Sequence, residues 1–302
     1  MIQLRLLVLC VALSLSITSQ NHLVAQEALQ PPLGKAPVEV YLTATGKNSS
    51  SGALDQSALT VTLDKQPIQL TSIRSAKHDK LLFAVVVDAS TSNARNSGWI
   101  KKAAFDLFEG LLANGNQGYL VSFDVSARRS ASPLQLSEVR KVLVDLQFVG
   151  GTALFDTIAK TCTTVLSKSG NPNNPRRAII LISDGDDNQS HTQPKEAIQV
   201  AEKEGVSIFS LRTTVGGDTG EQILGDFTKK TGGRAVIDES RKEGVRALLS
   251  AIDSQWVLSF VPPSSSNRDL HSFAVKSSQK SIEISAPANI VIQSGAEGSS
   301  GR

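Results

Sequence analysis

The chain is 302 residues long, 40% apolar and 20% charged, with a formal net charge of +3. That length and apolar content suit one sizeable domain plus an accessory piece. The basic residues are scattered in short pairs such as Lys101-Lys102, Arg128-Arg129 and Arg176-Arg177 and form no stripe for nucleic acid. Of the two cysteines, Cys10 lies in an N-terminal apolar run, so Cys162 stands alone and no intrachain disulfide staples the folded part.

Residues 1–25 read as a signal peptide, with Arg5 as the basic n-region, Leu6 to Ile17 as the apolar stretch and Leu23-Val24-Ala25 as the cleavage site. Export follows, to the periplasm, the cell envelope or the outside. A membrane attachment is expected only if the segment is retained. Residues 26–36, with Pro31-Pro32, read as a linker. Residues 37–76 read as an accessory β segment, because Val38 to Leu42 and Leu59 to Leu63 alternate apolar and polar around a turn-rich stretch from Gly46 to Gly52.

From residue 77 to 253 the pattern becomes alternating strands and amphipathic helices, which predicts an α/β fold, a doubly wound, mostly parallel sheet. Strands are predicted at 81–87, 118–124, 178–183, 206–212 and 234–237, and helices at 98–113, 137–147, 154–168, 194–204, 220–231 and 242–253. Residues 254–285 return to strands, at Trp256 to Val261, Phe273 to Val275 and Ile282 to Ile284. These are expected to pair with the early strands in a small β layer. Residues 286–302 read as a disordered tail.

Three stretches carry the chemistry: Asp88-Ala89-Ser90-Thr91-Ser92, Gly150-Gly151-Thr152 and Ser183-Asp184-Gly185. Two of them follow buried-strand runs, and in an open α/β sheet the crevice beyond the carboxyl ends of the strands is where ligands sit. Asp88, Ser90, Ser92, Thr152 and Asp184 therefore converge as oxygen donors. An all-oxygen set suits a hard cation such as Mg²⁺, and one held mainly by neutral hydroxyls stays electron-poor enough to take a further carboxylate.

In order and spacing these residues resemble the metal-ion-dependent adhesion site of von Willebrand factor type A domains, over about residues 77–253. The resemblance implies a Rossmann-like fold and a bound Mg²⁺, or Mn²⁺ or Ca²⁺. It further implies that Ser90, Ser92 and Thr152 coordinate directly, that Asp88 and Asp184 do so directly or through water, and that a Glu or Asp of a protein partner supplies the last ligand. The layout, with its leader and flanking strands, is similar to exported bacterial proteins of this type. The function so implied is a non-enzymatic, adhesion-like binding module. The alternatives are a structural cell-envelope scaffold and, less well supported, a Mg²⁺-dependent phosphatase, whose second aspartate would stand where Ser90 is.

Simpler roles compete for single residues. Thr152 can cap the helix from Leu154, and Trp99 can belong to the rim of the site or to core packing. Asp186 and Asp187 read as solvated carboxylates. His78, His191 and His271 are isolated and make no zinc pattern. No P-loop, nucleophile elbow or dinucleotide turn is present.

Overall fold

The computed structural model describes residues 37–46, 54–167, 176–213, 218–237, 241–263 and 270–292. The expected signal peptide and linker, and the last ten residues of the chain, lie outside these. The first flank contributes β1 (Val38–Gly46), β2 (Leu59–Leu63), β3 (Gln66–Pro67) and β4 (Ser72–Ser75). The α/β region runs β5 (Leu81–Asp88), α1 (Ser97–Leu112), β6 (Gln117–Phe123), β7 (Ala127–Arg129), α2 (Leu136–Asp145), α3 (Leu154–Thr164), β8 (Arg176–Ser183), α4 (Pro194–Glu204), β9 (Val206–Arg212), α5 (Asp218–Thr231), β10 (Ala235–Val236) and α6 (Arg241–Asp253). The last flank adds β11 (Gln255–Phe260), β12 (His271–Ser277), β13 (Ile282–Ser285) and β14 (Asn289–Ile290).

The central sheet has the order β10-β9-β8-β5-β6-β7, parallel throughout except for β7, which turns back along β6. Its two middle strands are apolar at every step over Leu81–Val87 and Ala178–Ile182 because both faces are covered. In β5, Leu81, Phe83, Val85 and Val87 point into one core with α1, α2 and α6, while Leu82, Ala84 and Val86 point into the other with α3, α4 and α5. Since α1 follows β5 on one face and α4 follows β8 on the other, the crevice between β5 and β8 is the switch point of this doubly wound sheet. The predicted α/β class is therefore observed.

Helix boundaries follow local chemistry. Gln193 and Glu196 close a capping box on α4, Pro194 opens it, and Gly205 ends it in the left-handed region at φ 64°. Helix α3 stops at Thr164 rather than continuing to 168. The Thr163 and Thr164 hydroxyls there bond back to the carbonyls of Ala159 and Lys160, which competes with regular helix.

The flanks form two antiparallel sheets where one small layer was expected: β13-β1-β11-β4 and β14-β12-β2-β3. They face each other across a separate core that includes Val40, Leu42, Ala44, Val61, Leu63, Leu258, Phe260 and Phe273. The rings of Phe260 and Phe273 stack between the sheets at 6.1 Å. From β1 the opposite face meets the α/β unit, where the Thr43 hydroxyl donates to the Gly232 carbonyl at 2.7 Å.

Order also extends past the point at which a disordered tail was expected. Residues 286–292 include β14, Ile290 and Ile292 are buried, and Asn289 donates to both carboxylate oxygens of buried Glu202 on α4. The apolar run here, Ile290-Val291-Ile292, is only three residues long and shows no alternation, so it carries too little pattern to be read as a strand from sequence. Its order comes from docking on both the sandwich and α4.

Candidate metal centre

Asp88 is the last residue of β5 and Ser183 the last of β8, so the two strands deliver them side by side at the switch point. Asp88 is fully buried. Its Oδ2 accepts from the Ser183 hydroxyl at 2.7 Å and its Oδ1 from the Ser90 backbone N–H at 3.0 Å. Ser90 then takes the extended N-cap position of a short 3₁₀ turn, Thr91–Asn96. That turn brings the Ser90 and Ser92 hydroxyls within 3.0 Å of each other. The Ser92 hydroxyl donates onward to Asp184 Oδ2 at 2.7 Å. Asp88, Ser90, Ser92 and Asp184 thus form one hydrogen-bonded chain across the crevice.

Thr152 is brought to the same place by its backbone. Its loop is laced to the β5 loop by Val149 N–H to the Ala89 carbonyl at 2.8 Å and Thr91 N–H to the Gly150 carbonyl at 3.2 Å. On the other side Thr152 N–H donates to Asn188 Oδ1 at 2.9 Å, and the Thr152 carbonyl accepts from the N–H groups of Asn188 and Gln189. Thr152 is buried between the two loops, and its hydroxyl makes no hydrogen bond among the described residues. The helix-capping role considered for it belongs instead to Asp187, whose carboxylate accepts from Phe155 N–H at 3.1 Å and from the Ser190 hydroxyl. Asp187 is therefore not a freely solvated loop carboxylate.

Electrostatically the crevice is unbalanced. Burial pushes Asp88 up to about 6; the hydrogen bonds from Ser90 and Ser183 work against that, and the neighbouring charge of Asp184 adds to it. Among the described residues neither Asp88 nor Asp184 is ion-paired with a lysine, arginine or histidine. Two buried carboxylates and three hydroxyls, all hard oxygen donors, form a set suited to Mg²⁺ and not to a soft metal. The described residues hold no cluster of three His, Cys, Asp or Glu side chains that could serve a metal by charge alone.

Asn93 is the site residue that sequence reasoning missed. It is fully buried, and its amide donates to Asp184 Oδ2, Ser90 Oγ and Ser92 Oγ at 3.3–3.5 Å while its Oδ1 accepts from the Thr213 hydroxyl at 2.5 Å. The signal available was its place directly after Ser92, where an amide is a costly residue to bury unless it is fully bonded. Trp99, by contrast, packs against the core on the α1 side.

A sequence model of the von Willebrand factor type A domain matches residues 83–251, more than half of the chain. No curated protein matches it in sequence. Among solved structures, an aerotolerance-related membrane protein from Bacteroides fragilis NCTC 9343, with multiple mutations to serines, is similar at 14% identity and a TM-score of 0.48, over 57% of this chain and 98% of that one. BatB from Bacteroides thetaiotaomicron is similar at 17% identity and 0.47, over 57% and 97%. A von Willebrand factor type A protein from Catenulispora acidiphila is similar at 11% identity and 0.48, over 87% and 74%. With the sequence match spanning both metal-loop strands and all three motif stretches, the chain belongs to the von Willebrand factor type A domain family.

Proposed function

We propose that the chain is an exported, metal-dependent protein-binding module. A divalent cation, Mg²⁺ or else Mn²⁺ or Ca²⁺, is held by Asp88, Ser90, Ser92, Thr152 and Asp184, and it takes a Glu or Asp carboxylate from a protein partner. The observation that carries this reading is the pair of carboxylates, Asp88 and Asp184, buried at the switch point with hydroxyls between them and with no ion-pair partner among the described residues. Charge held in low dielectric without a counter-charge costs several kcal/mol, and a dication relieves it.

When bound, the cation supplies an electron-poor position open to an external acid. The protein's own groups do the rest. Ser183 and the Ser90 N–H hold Asp88 in place, Asn93 orients Asp184 and both serines, and Asn188 fixes the Thr152 loop. Domains of this family mediate protein interactions, are generally not enzymes and commonly bind a divalent metal at this kind of site. Ser90 in place of a second aspartate removes the general acid that a phosphatase needs. The leader-like segment at residues 1–25 supports export, and no described helix is long and apolar enough to cross a membrane.

Thermal unfolding with and without Mg²⁺ or Mn²⁺ tests the reading. A cation that binds only the folded chain stabilises it by about 2.7 kcal/mol at a hundredfold excess over Kd, and Asp88→Ala abolishes the response. An equal response in both proteins overturns the assignment.

A further inference from the structure

Two aliphatic side chains stand in solvent beside the metal loop. Val125, at the turn between β6 and β7, and Val149, directly before Gly150, are each 54% exposed, and they are two of the five large apolar side chains exposed among the described residues. Single exposed valines are ordinary on a protein surface; position sets these two apart. Gly150 lies at φ +79°, and a Cβ built on it would stand 3.7 Å from Val125 Cγ1, so Val125 lies over the glycine that follows Val149. The same stretch is laced to the β5 loop through Val149 N–H to Ala89 and Thr91 N–H to Gly150. Ala153 N–H to the Asp124 carbonyl at 2.7 Å ties the Val125 turn to the Thr152 loop. The other side of Thr152 is polar, since a Cβ on Gly151 would meet Asn188 Oδ1 and Gln189 Cγ at 2.8 Å.

The rim is therefore one-sided: aliphatic toward β6 and amide-bearing toward β8. A coordinated carboxylate alone does not distinguish one acidic partner from another. An apolar contact fixed next to it does, through the surface it removes from water. We infer that Val125 and Val149 read the residue beside the coordinated acid, so that the partner is a protein segment whose Glu or Asp is flanked by a branched aliphatic side chain. This rests on the cation site proposed above.

The test uses the full chain in saturating Mg²⁺ and two synthetic decapeptides, each with a single Glu, flanked by Leu in one and by Ser in the other. The Leu-flanked probe is expected to bind about tenfold tighter, the gain of burying one aliphatic group. The double variant Val125→Ser, Val149→Ser removes that preference while keeping both the Mg²⁺-dependent rise in unfolding temperature and the affinity for the Ser-flanked probe. Equal affinity of the two probes for the wild type, or a preference that survives in the variant, overturns the inference and leaves the cation site standing. Absence of binding by both probes in a protein that responds to Mg²⁺ overturns it together with carboxylate capture. Absence of the Mg²⁺ response itself overturns the cation site.

Discussion

Among the described residues no basic side chain is ion-paired with Asp88, and its titration is the most direct report on the crevice. Because the folded chain holds the Asp88 proton up to about pH 6 against an ordinary 3.8, the folded state binds more protons than the unfolded one between those values. Stability in a chelator then falls as pH rises through that window. The displacement corresponds to a cost on the order of 3 kcal/mol once pH exceeds 6. Asp88→Asn lacks this loss, so in chelator it is expected to match wild type near pH 4 and to be the more stable protein at pH 7.5, as read by urea unfolding; a variant that is less stable at pH 7.5 would show that the ionised carboxylate is well accommodated. The five proposed oxygen donors could be picked out in the sequence because Asp88, Ser90, Ser92 and Asp184 lie in short motifs at the ends of apolar strand runs and Thr152 follows a glycine pair. Asn93 could not, because its role depends on Thr213, which approaches from the end of another strand.

At the level of elements, the crevice depends on how closely two loops approach. Gly185, just after Asp184, sits at φ +89°, and a Cβ there would fall 2.4 Å from the Gly220 carbonyl oxygen at the start of α5. Both the backbone angle and the contact exclude a side chain. Gly185→Ala is expected to lose roughly 1–3 kcal/mol in urea unfolding and to weaken the Mg²⁺ shift, since Asp184 must move with its neighbour; unchanged values of both would show that the loop yields. The long strands were legible because Leu81–Val87 in β5 and Ala178–Ile182 in β8 are continuous apolar runs, and β9 carries Val206, Ile208, Phe209 and Leu211; all three strands are buried on both faces. Strands β3, β4, β7 and β14 were not legible, being two to four residues long; β3 and β7 fold back on the strand just before them, and β4 is set by a distant partner, with Trp256 across from Ser75.

Across the whole molecule, two hydrophobic units are joined by polar clasps. Buried Arg176, at the start of β8, donates to Gln255, to the Ala76 carbonyl and to the Ile252 carbonyl, fastening both boundaries of the α/β unit to its sheet. Glu202 with Asn289 does the same between α4 and β14. Phe260, fully buried and stacked on Phe273, is central to the sandwich core. Phe260→Ala is expected to cost about 3–5 kcal/mol, and because of the clasps the loss should appear in a single unfolding transition that also carries the α/β unit. Two separate transitions in calorimetry would show that the units unfold independently. That early and late strands pair could be expected because exposed sheet edges need partners. That they build two sheets could not, because the choice depends on which of β1 and β2 each late strand joins, a matter of contacts more than two hundred residues apart in sequence.

Strands β4 and β11 are immediate antiparallel neighbours, with Ser75 opposite Trp256, so the chain departs from the sandwich and rejoins it within about one strand spacing. The α/β unit is in effect a guest threaded into a β host at one seam. A guest whose two ends already touch asks of its host a hairpin's worth of room together with partners for Arg176 and Glu202, so exchanging either part means replacing those polar contacts as well as the seam.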